Sequence, residues 1–578
     1  MTAAGRETGV TRELAAFVHH APAGCASPRA TEVVKQAVLD LFGVIVAGSG
    51  EEPGRLALRY ARSQAAAGPA AVLGGGTRLA SSLAALVNGT AGHALDYDDI
   101  GLGAGHISVA IAPAVFAVAE QVQADGQAFI DALVVGYEVA HRLTTMYRDT
   151  RLGPYAAGYH KPSVYSVFGA AAGAARLLGL GADATANAFG IAASEAGGLR
   201  ANFGTMTKPL HAGLANRSGI EAALLAQSGF TASVEVLEQR FGWHDVICRG
   251  DGDLPVVLDG LGASYAVEEG LVFKAYPCCG ANHYAIDAVL GLLRENGLAE
   301  PDVTRLDVWL EQRNLNDVLV YPWARTPLEG KFSLPYNMAA ALADGEVTAA
   351  TFTDESVARL ARFRGKVHVH PTADLPANGA RVRVQTADGR TIDREQLVNR
   401  GSLADPMTWD ELERKFRANV RGRIDPAAAD EAVAAIASLE KQPTLTGLGA
   451  ALLGRLLRNR RRPLGTGTRA RPQANLPQPR VNEPAQGGSR ACGCRSEARR
   501  ADEEPAKSLF LLLSVTSGAC AKDWVYLPAI FAAMYTQSSD SRGFLAVIRA
   551  RTGSRRSPGH GSRPSAIPVR IRRLACHA

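Results

Sequence analysis

The sequence predicts a mainly α fold: a large, discontinuous all-helical domain, a smaller α+β lid domain, and a disordered Arg-rich C-terminal tail. Three observations predict it. Apolar residues recur at three-to-four spacing from Thr11 to about Gly260, strand-like patterns begin only beyond Leu271, and after about Leu457 the chain becomes Arg-rich and aperiodic. A chain of 578 residues also exceeds what one ordinary core accommodates. The expected boundaries are 1–267 for the helical domain, 268–400 for the lid, 401–457 for a return to the helical domain and 458–578 for the tail.

Within the first domain, helical periodicity covers Glu32 to Val46, Ile107 to Val122, Phe129 to Tyr147, Val167 to Leu178, Asp183 to Ala193 and Ser218 to Gln227, with Gly and Pro between them. The run Gly169-Ala-Ala-Ala-Gly-Ala-Ala175 allows helices to cross at short distance because its side chains are so small. In the lid, Val303 to Glu311 and Lys366 to His370 read as strands. Arg381 to Thr386 and Thr391 to Arg394 read as a hairpin, since Asp388-Gly389 supplies the backbone angles a tight turn needs. Helices at about Ala281 to Glu295, Pro335 to Leu342 and Asp354 to Phe363 intervene. Asp410 to Asn419 and Ala427 to Leu439 are helical again, which returns the chain to the first domain.

Composition narrows the function classes. Hydrophobic residues make up 47% and charged residues 20%, a globular balance. Residues 1–8 show no basic-then-apolar leader, and no apolar run reaches the roughly 18–20 residues of a membrane span, so a cytoplasmic location without membrane contact is expected. The eight cysteines form no spaced framework, and Cys492-Gly493-Cys494 lacks a second ligand pair at zinc spacing. The spaced thiolates of an iron–sulfur cluster are missing from the catalytic half as well, so any dehydration is expected to be metal-free. Charge is divided: residues 451–578 carry 23 basic and 7 acidic residues, leaving 39 basic against 49 acidic in residues 1–450. A basic tail raises nucleic-acid binding as an alternative role. Because 21 of its 23 basic residues are Arg, a frameshifted or read-through extension is the preferred explanation.

The stretch richest in chemistry is His93-Ala-Leu-Asp-Tyr-Asp-Asp99, with His106 just before the apolar run from Ile107. Three carboxylates and two imidazoles fall within fourteen residues, ahead of a helix too apolar to solvate them, which points to a cleft at the helix entrance. Histidine and aspartate at a helix start are also ordinary caps. Further polar groups in apolar, Gly-rich surroundings give the stretch more weight: His160 in Gly-Tyr-His-Lys-Pro-Ser, Lys208 and His211 in Gly-Thr-Met-Thr-Lys-Pro-Leu-His-Ala-Gly, and Lys274 in Phe-Lys-Ala-Tyr-Pro-Cys-Cys-Gly. Gly74-Gly-Gly-Thr77 invites a phosphate-loop reading, but no Lys-Ser/Thr comes after it and no strand–helix unit frames it.

Asn88-Gly-Thr-Ala-Gly-His-Ala-Leu-Asp-Tyr-Asp-Asp99, the segment Gly204 to Gly213, Lys274-Ala-Tyr-Pro277 and Lys331-Phe-Ser-Leu-Pro-Tyr336 resemble, in order, the signature blocks of the MmgE/PrpD family. That family includes 2-methylcitrate dehydratases and cis-aconitate decarboxylases, and the resemblance covers roughly residues 10–456. It implies a cofactor-independent lyase acting on a small polycarboxylate, in a homodimer, with dehydration expected ahead of decarboxylation. It also places Asp96, His106, His160, Lys208, Lys274 and Tyr336 on positions matching the decarboxylase motifs. Two positions depart. Ile100 stands where those members have Thr after the Asp-Asp pair, and Cys279 where they have His, which argues against unchanged decarboxylase specificity. Lys161 adds a charge where the family more often has His-Pro-Thr.

A substrate with two or three carboxylates needs fixed cations, for which Lys208 and Lys274 are the candidates; His211 lies within one turn of Lys208 if that segment is helical, or else caps a helix. Eliminating water or losing carbon dioxide both require a proton moved at carbon. His106 and His160 are therefore the expected acid/base pair, with Asp96 orienting an imidazole or contacting substrate. Tyr336 is a candidate for a substrate hydrogen bond or proton relay, or else a core tyrosine. Cys279 is a pocket acid or a buried inert thiol. An isomerase or epimerase of a small dicarboxylate is the closest alternative, and a non-catalytic member whose tail binds nucleic acid is the more distant one.

Overall fold

The computed structural model describes residues 9–64, 67–149 and 151–454. The Arg-rich tail expected beyond 457 lies outside the described residues. The helical body opens with α1 (Val10–His20), α2 (Pro28–Gly48), α3 (Glu52–Ser63), α4 (Ser81–Ala94), α5 (Ile107–Val122), α6 (Gly126–Thr145), α7 (Lys161–Leu177), α8 (Ala182–Glu195) and α9 (Thr207–Gln227). Several starts carry the local chemistry that makes them. Ser27 accepts the Ala30 amide ahead of Pro28 at the head of α2, and Asp125 accepts the Ala128 amide at the head of α6.

α4, α5, α7 and α9 pack against one another at the centre of the body. Close approach depends on missing side chains: a Cβ on Gly213 of α9 would collide with the Leu86 carbonyl of α4, and one on Gly169 of α7 would lie 2.5 Å from the Gly136 carbonyl of α6. α5 contains Pro113, which cannot donate to the Val109 carbonyl one turn back. Asn216 of α9 repairs the ladder. Its Nδ2 donates to the Val109 carbonyl at 2.8 Å and its Oδ1 accepts the Ala114 amide at 2.8 Å. The helix that begins after His106 is thus fastened to the helix that carries Lys208.

Gly74-Gly-Gly-Thr77 belongs to a hairpin turn between β1 (Ala70–Val72) and antiparallel β2 (Thr77–Leu79), with Gly74 and Gly76 at φ +68° and +62°. The larger sheet has the order β4-β3-β5-β6. Its β3 (Val303–Glu311) runs parallel to β4 (Val367–Thr372) and antiparallel to β5 (Ala380–Thr386), which turns at Asp388-Gly389 into β6 (Thr391–Gln396). A parallel neighbour needs a crossover, and residues 312–366 supply it with short helices. Leu306, Val308 and Leu310 of β3 with Val382 and Val384 of β5 form a second hydrophobic core against the helices His283–Glu295 and Leu334–Asp344.

The helices Trp409–Val420 and Pro426–Ala437 return to the first core through Leu412, Phe416 and Ile436, which makes the helical body discontinuous. The mainly α fold class therefore holds. α9 starts eleven residues before the Ser218 suggested by periodicity, because Lys208, His211 and Asn216 interrupt its apolar stripe while remaining buried. Among the described residues no single helix is long and apolar enough to cross a membrane; α2 and α3 are so only as a pair, across an 81° bend.

Replacing Asn216 by Leu removes the donor to the buried Val109 carbonyl and the side-chain acceptor of the Ala114 amide. The expected loss is about 2–4 kcal/mol of unfolding free energy, read as a lower denaturation midpoint with an unchanged slope.

Candidate active site

Helix ends deliver the polar side chains. His93 lies in the last turn of α4, His106 and His160 stand immediately before α5 and α7, and Lys208 and His211 occupy the start of α9. The α4–α5 connection carries Asp96, Asp98 and Asp99, and Lys274 arrives from the segment leading into the α+β domain. Three helix N-termini thus open on one place, where backbone N–H groups and the positive ends of helix dipoles favour negative charge.

Asp98 is the hub of the imidazoles. Its Oδ1 lies 2.9 Å from His93 Nδ1 and its Oδ2 2.9 Å from His106 Nδ1. An ionised carboxylate only accepts, so both rings donate through Nδ1 and the His106 Nε2 keeps a lone pair. That nitrogen lies 3.7 Å from Asp96 Oδ1. The Lys208 ammonium contacts Asp96 Oδ1, and Lys274 Nζ lies 3.2 Å from Asp96 Oδ2. His160 stacks on His93 with ring centroids 5.8 Å apart, and its Nδ1 is 3.2 Å from His211 Nδ1, so one of these two rings donates to the other. Phe203 meets His160 edge-on at 5.1 Å and stacks on Phe332 of the α+β domain at 5.6 Å. Lys208 Nζ lies 5.2 Å from the Phe332 ring centroid.

Charge states follow from this arrangement. Burial alone would raise the Asp96 and Asp98 carboxyls. Lys208 and Lys274 beside the first, and His93 and His106 beside the second, more than offset burial and hold both well below the ordinary carboxylate range. Burial drives the imidazoles the other way: against the pull of Asp98 and with the help of Lys274 and Lys208, His106 falls to about 3. Burial, then Lys208, likewise holds His160 well below its ordinary value. Burial brings His211 down to about 4, and burial lifts the Asp99 carboxyl to about 7 with help from Asp40 and Asp98.

The residues singled out in the sequence separate in space. Asp96, His106, His160, Lys208, Lys274 and His211 form one contiguous cluster through the contacts above. Cys279 borders it, near Asp96 and Lys274, and the adjacent Gly280 lies against Ile100, whose Cδ1 would be 3.3 Å from a Cβ there. Burial and Asp96 raise the Cys279 thiol, which keeps it protonated. Tyr336 is a correction. It is a fully buried member of the second core and its hydroxyl donates to the Thr351 carbonyl at 2.5 Å, so it faces packing among apolar residues rather than the cluster. The orienting carboxylate of His106 is Asp98, whereas Asp96 holds the lysines. His93 and Asp98 were legible in the same short run as Asp96, but which of its three aspartates meets which ring depends on the turn.

Ligand atoms of His93, Asp96, Asp98 and His106 lie within 4.8 Å of one another, a spacing that suits a metal ion. The surroundings do not. Both Asp96 oxygens already face ammonium groups, both Asp98 oxygens accept from imidazoles, and a cation there would sit beside Lys208 and Lys274. The set fits an internal ion-pair and proton network better than a metal centre.

In histidine-labelled protein, the His106 ring resonance is expected to show no inflection between pH 5 and 8, because its protonation lies near 3. Lys208→Met removes a neighbouring cation and moves that protonation upward. A wild-type inflection near the ordinary 6.5 would refute the neutral assignment.

Comparison with known proteins adds to this geometry. Residues 12–253 match the MmgE/PrpD N-terminal domain and residues 276–441 the MmgE/PrpD C-terminal domain. The cis-aconitate decarboxylase of Homo sapiens is 30% identical over 449 residues, covering 75% of this chain and 92% of that protein. The cis-aconitate decarboxylase of Mus musculus is 28% identical over 448 residues, with 75% and 91% covered. The cis-aconitate decarboxylase-like protein oryM of Aspergillus oryzae is 30% identical over 423 residues, with 67% and 86% covered. With both domains matched in sequence order, the chain belongs to the MmgE/PrpD family.

Proposed function

We propose that this protein is a metal- and cofactor-independent lyase that decarboxylates a small unsaturated tricarboxylate of the cis-aconitate type. The observation that carries the reading is the His106 Nε2 lone pair, fixed by Asp98 and facing the Asp96–Lys208 pair. Lys208 and the N-termini of α5, α7 and α9 supply the positive field a polycarboxylate needs. Family membership and the decarboxylase relatives support a lyase, and move the preference from dehydration to decarboxylation.

The chain's own groups suffice for the proton chemistry. Two ammonium groups, two ionised carboxylates and neutral imidazoles leave the cluster by itself near electrical balance. A bound polycarboxylate adds negative charge, which raises the protonation of His106 and His160. Binding therefore takes up a proton onto the ring that later delivers it. Loss of carbon dioxide leaves an electron pair at carbon, and the protonated imidazole quenches it. The departing carboxylate fits best against the weakly polar wall of Ile100 and Cys279, where charge is poorly solvated.

Those two residues also favour a second reading. Replacing a hydroxyl and an imidazole of the decarboxylase motif changes what the wall recognises, and a hydroxy-tricarboxylate losing water is the closest alternative. Incubation with cis-aconitate, citrate and 2-methylcitrate separates the two: carbon dioxide release from the first is expected, whereas a new unsaturated acid from either of the others would mark dehydration. His106→Ala is expected to lower kcat/KM about 10²–10⁴-fold, and prior dialysis against a chelator is expected to change nothing. Full turnover in both His106→Ala and Lys208→Ala would sink the site assignment.

A further inference from the structure

Residues 95–97 cross the floor of the cluster in a conformation most side chains resist. Asp96 has φ +51°, in the left-handed region. Each of the three carbonyls in this turn accepts from a buried ammonium. Lys331 Nζ donates to the Leu95 carbonyl at 2.9 Å, Lys274 Nζ to the Asp96 carbonyl at 2.9 Å and Lys415 Nζ to the Tyr97 carbonyl at 2.9 Å.

The three lysines come from different places in the chain. Lys331 belongs to the crossover of the α+β domain, Lys274 to the segment that leads into that domain, and Lys415 to the returning helix Trp409–Val420. Two of them also grip the segment that carries the third: Lys331 donates to the Pro277 carbonyl at 3.1 Å and Lys415 to the Lys274 carbonyl at 2.9 Å. Lys331 faces the C-terminal end of α4, where a cation meets the negative end of the helix dipole. Lys415 is balanced by Asp40 of α2 at 2.6 Å and lies 3.8 Å from the Tyr97 ring centroid. Desolvating an ammonium is costly, and an ammonium is also a strong donor able to direct two carbonyls at once.

We propose that Lys331 and Lys415 are positioning residues that, with Lys274, clamp residues 95–97 in the left-handed turn that presents the Asp96 carboxylate to Lys208 and His106. Neither needs to touch substrate. The clamp joins three segments at the floor of the site, so the site is complete only when the α+β domain and the returning helix are both docked. Its kinetic consequence rests on the lyase reading above; its structural consequence does not.

Lys331→Met in the full chain is the primary test, because the acceptors of Lys331 are uncharged. Lys415→Met alone would strand Asp40, so it is paired with Asp40→Asn. In both, kcat per folded molecule on the accepted tricarboxylate is expected to fall about 10- to 100-fold while KM stays within about threefold, the signature of a misplaced catalytic group. Crystal structures of the variants should show Asp96 leaving the left-handed region and losing Lys208. Turnover within twofold of wild type in both variants, or an unchanged Asp96 turn, would overturn the proposal. If the wild type turned over no tricarboxylate, the functional reading would fall, and the Asp96 backbone in the variants would still decide the clamp.

Discussion

A carboxylate held between two ammonium groups in the interior, Asp96 with Lys208 and Lys274, is the constraint on which the rest of this molecule depends. A charge so deeply buried persists only when its partners are close. Meeting that condition requires α9, the α4–α5 turn and the approach to the α+β domain to arrive together. The glycine contact of α9 with α4 and the bonds from Asn216 to α5 are the packing side of the same requirement.

The cluster is built from helix ends, and this has an electrostatic consequence. Imidazoles placed at the N-termini of α5 and α7, beside two cations, stay neutral, whereas an isolated histidine would be partly charged near neutrality. The neutral His106 ring, oriented by the ionised Asp98, is ready to accept a proton when an anion enters. Rigid helix starts rather than long loops carry these groups, so little reorganisation is left for the moment of reaction.

Two hydrophobic cores serve one site. The helical body contributes the histidines, Lys208 and the aspartates; the α+β domain and its approach contribute Lys274, Lys331 and Phe332. Tyr336 shows how sequence proximity misleads here. It lies five residues from Lys331 and four from Phe332, yet it starts a helix that turns inward, so its ring packs in the second core and its hydroxyl is taken by a backbone carbonyl.

The mainly α fold, the discontinuous helical body, the Asp-Gly hairpin and the concentration of polar residues around Asp96 were legible in the sequence, because periodicity, turn chemistry and charge in apolar surroundings are local properties. α9 was only half legible, since its first turns bury Lys208, His211 and Asn216 where a periodic pattern expects apolar side chains. Local sequence also determined which residue types were available: two imidazoles and two ammonium groups in apolar segments, enough to name a chemistry. Only the tertiary structure decided the pairings: Asp98 with His93 and His106, Asp96 with the lysines, and Lys331 and Lys415 with the carbonyls around Asp96. Those pairings are set by a left-handed turn and by contacts between segments up to more than three hundred residues apart, and no local pattern encodes a contact whose two halves are ordinary by themselves.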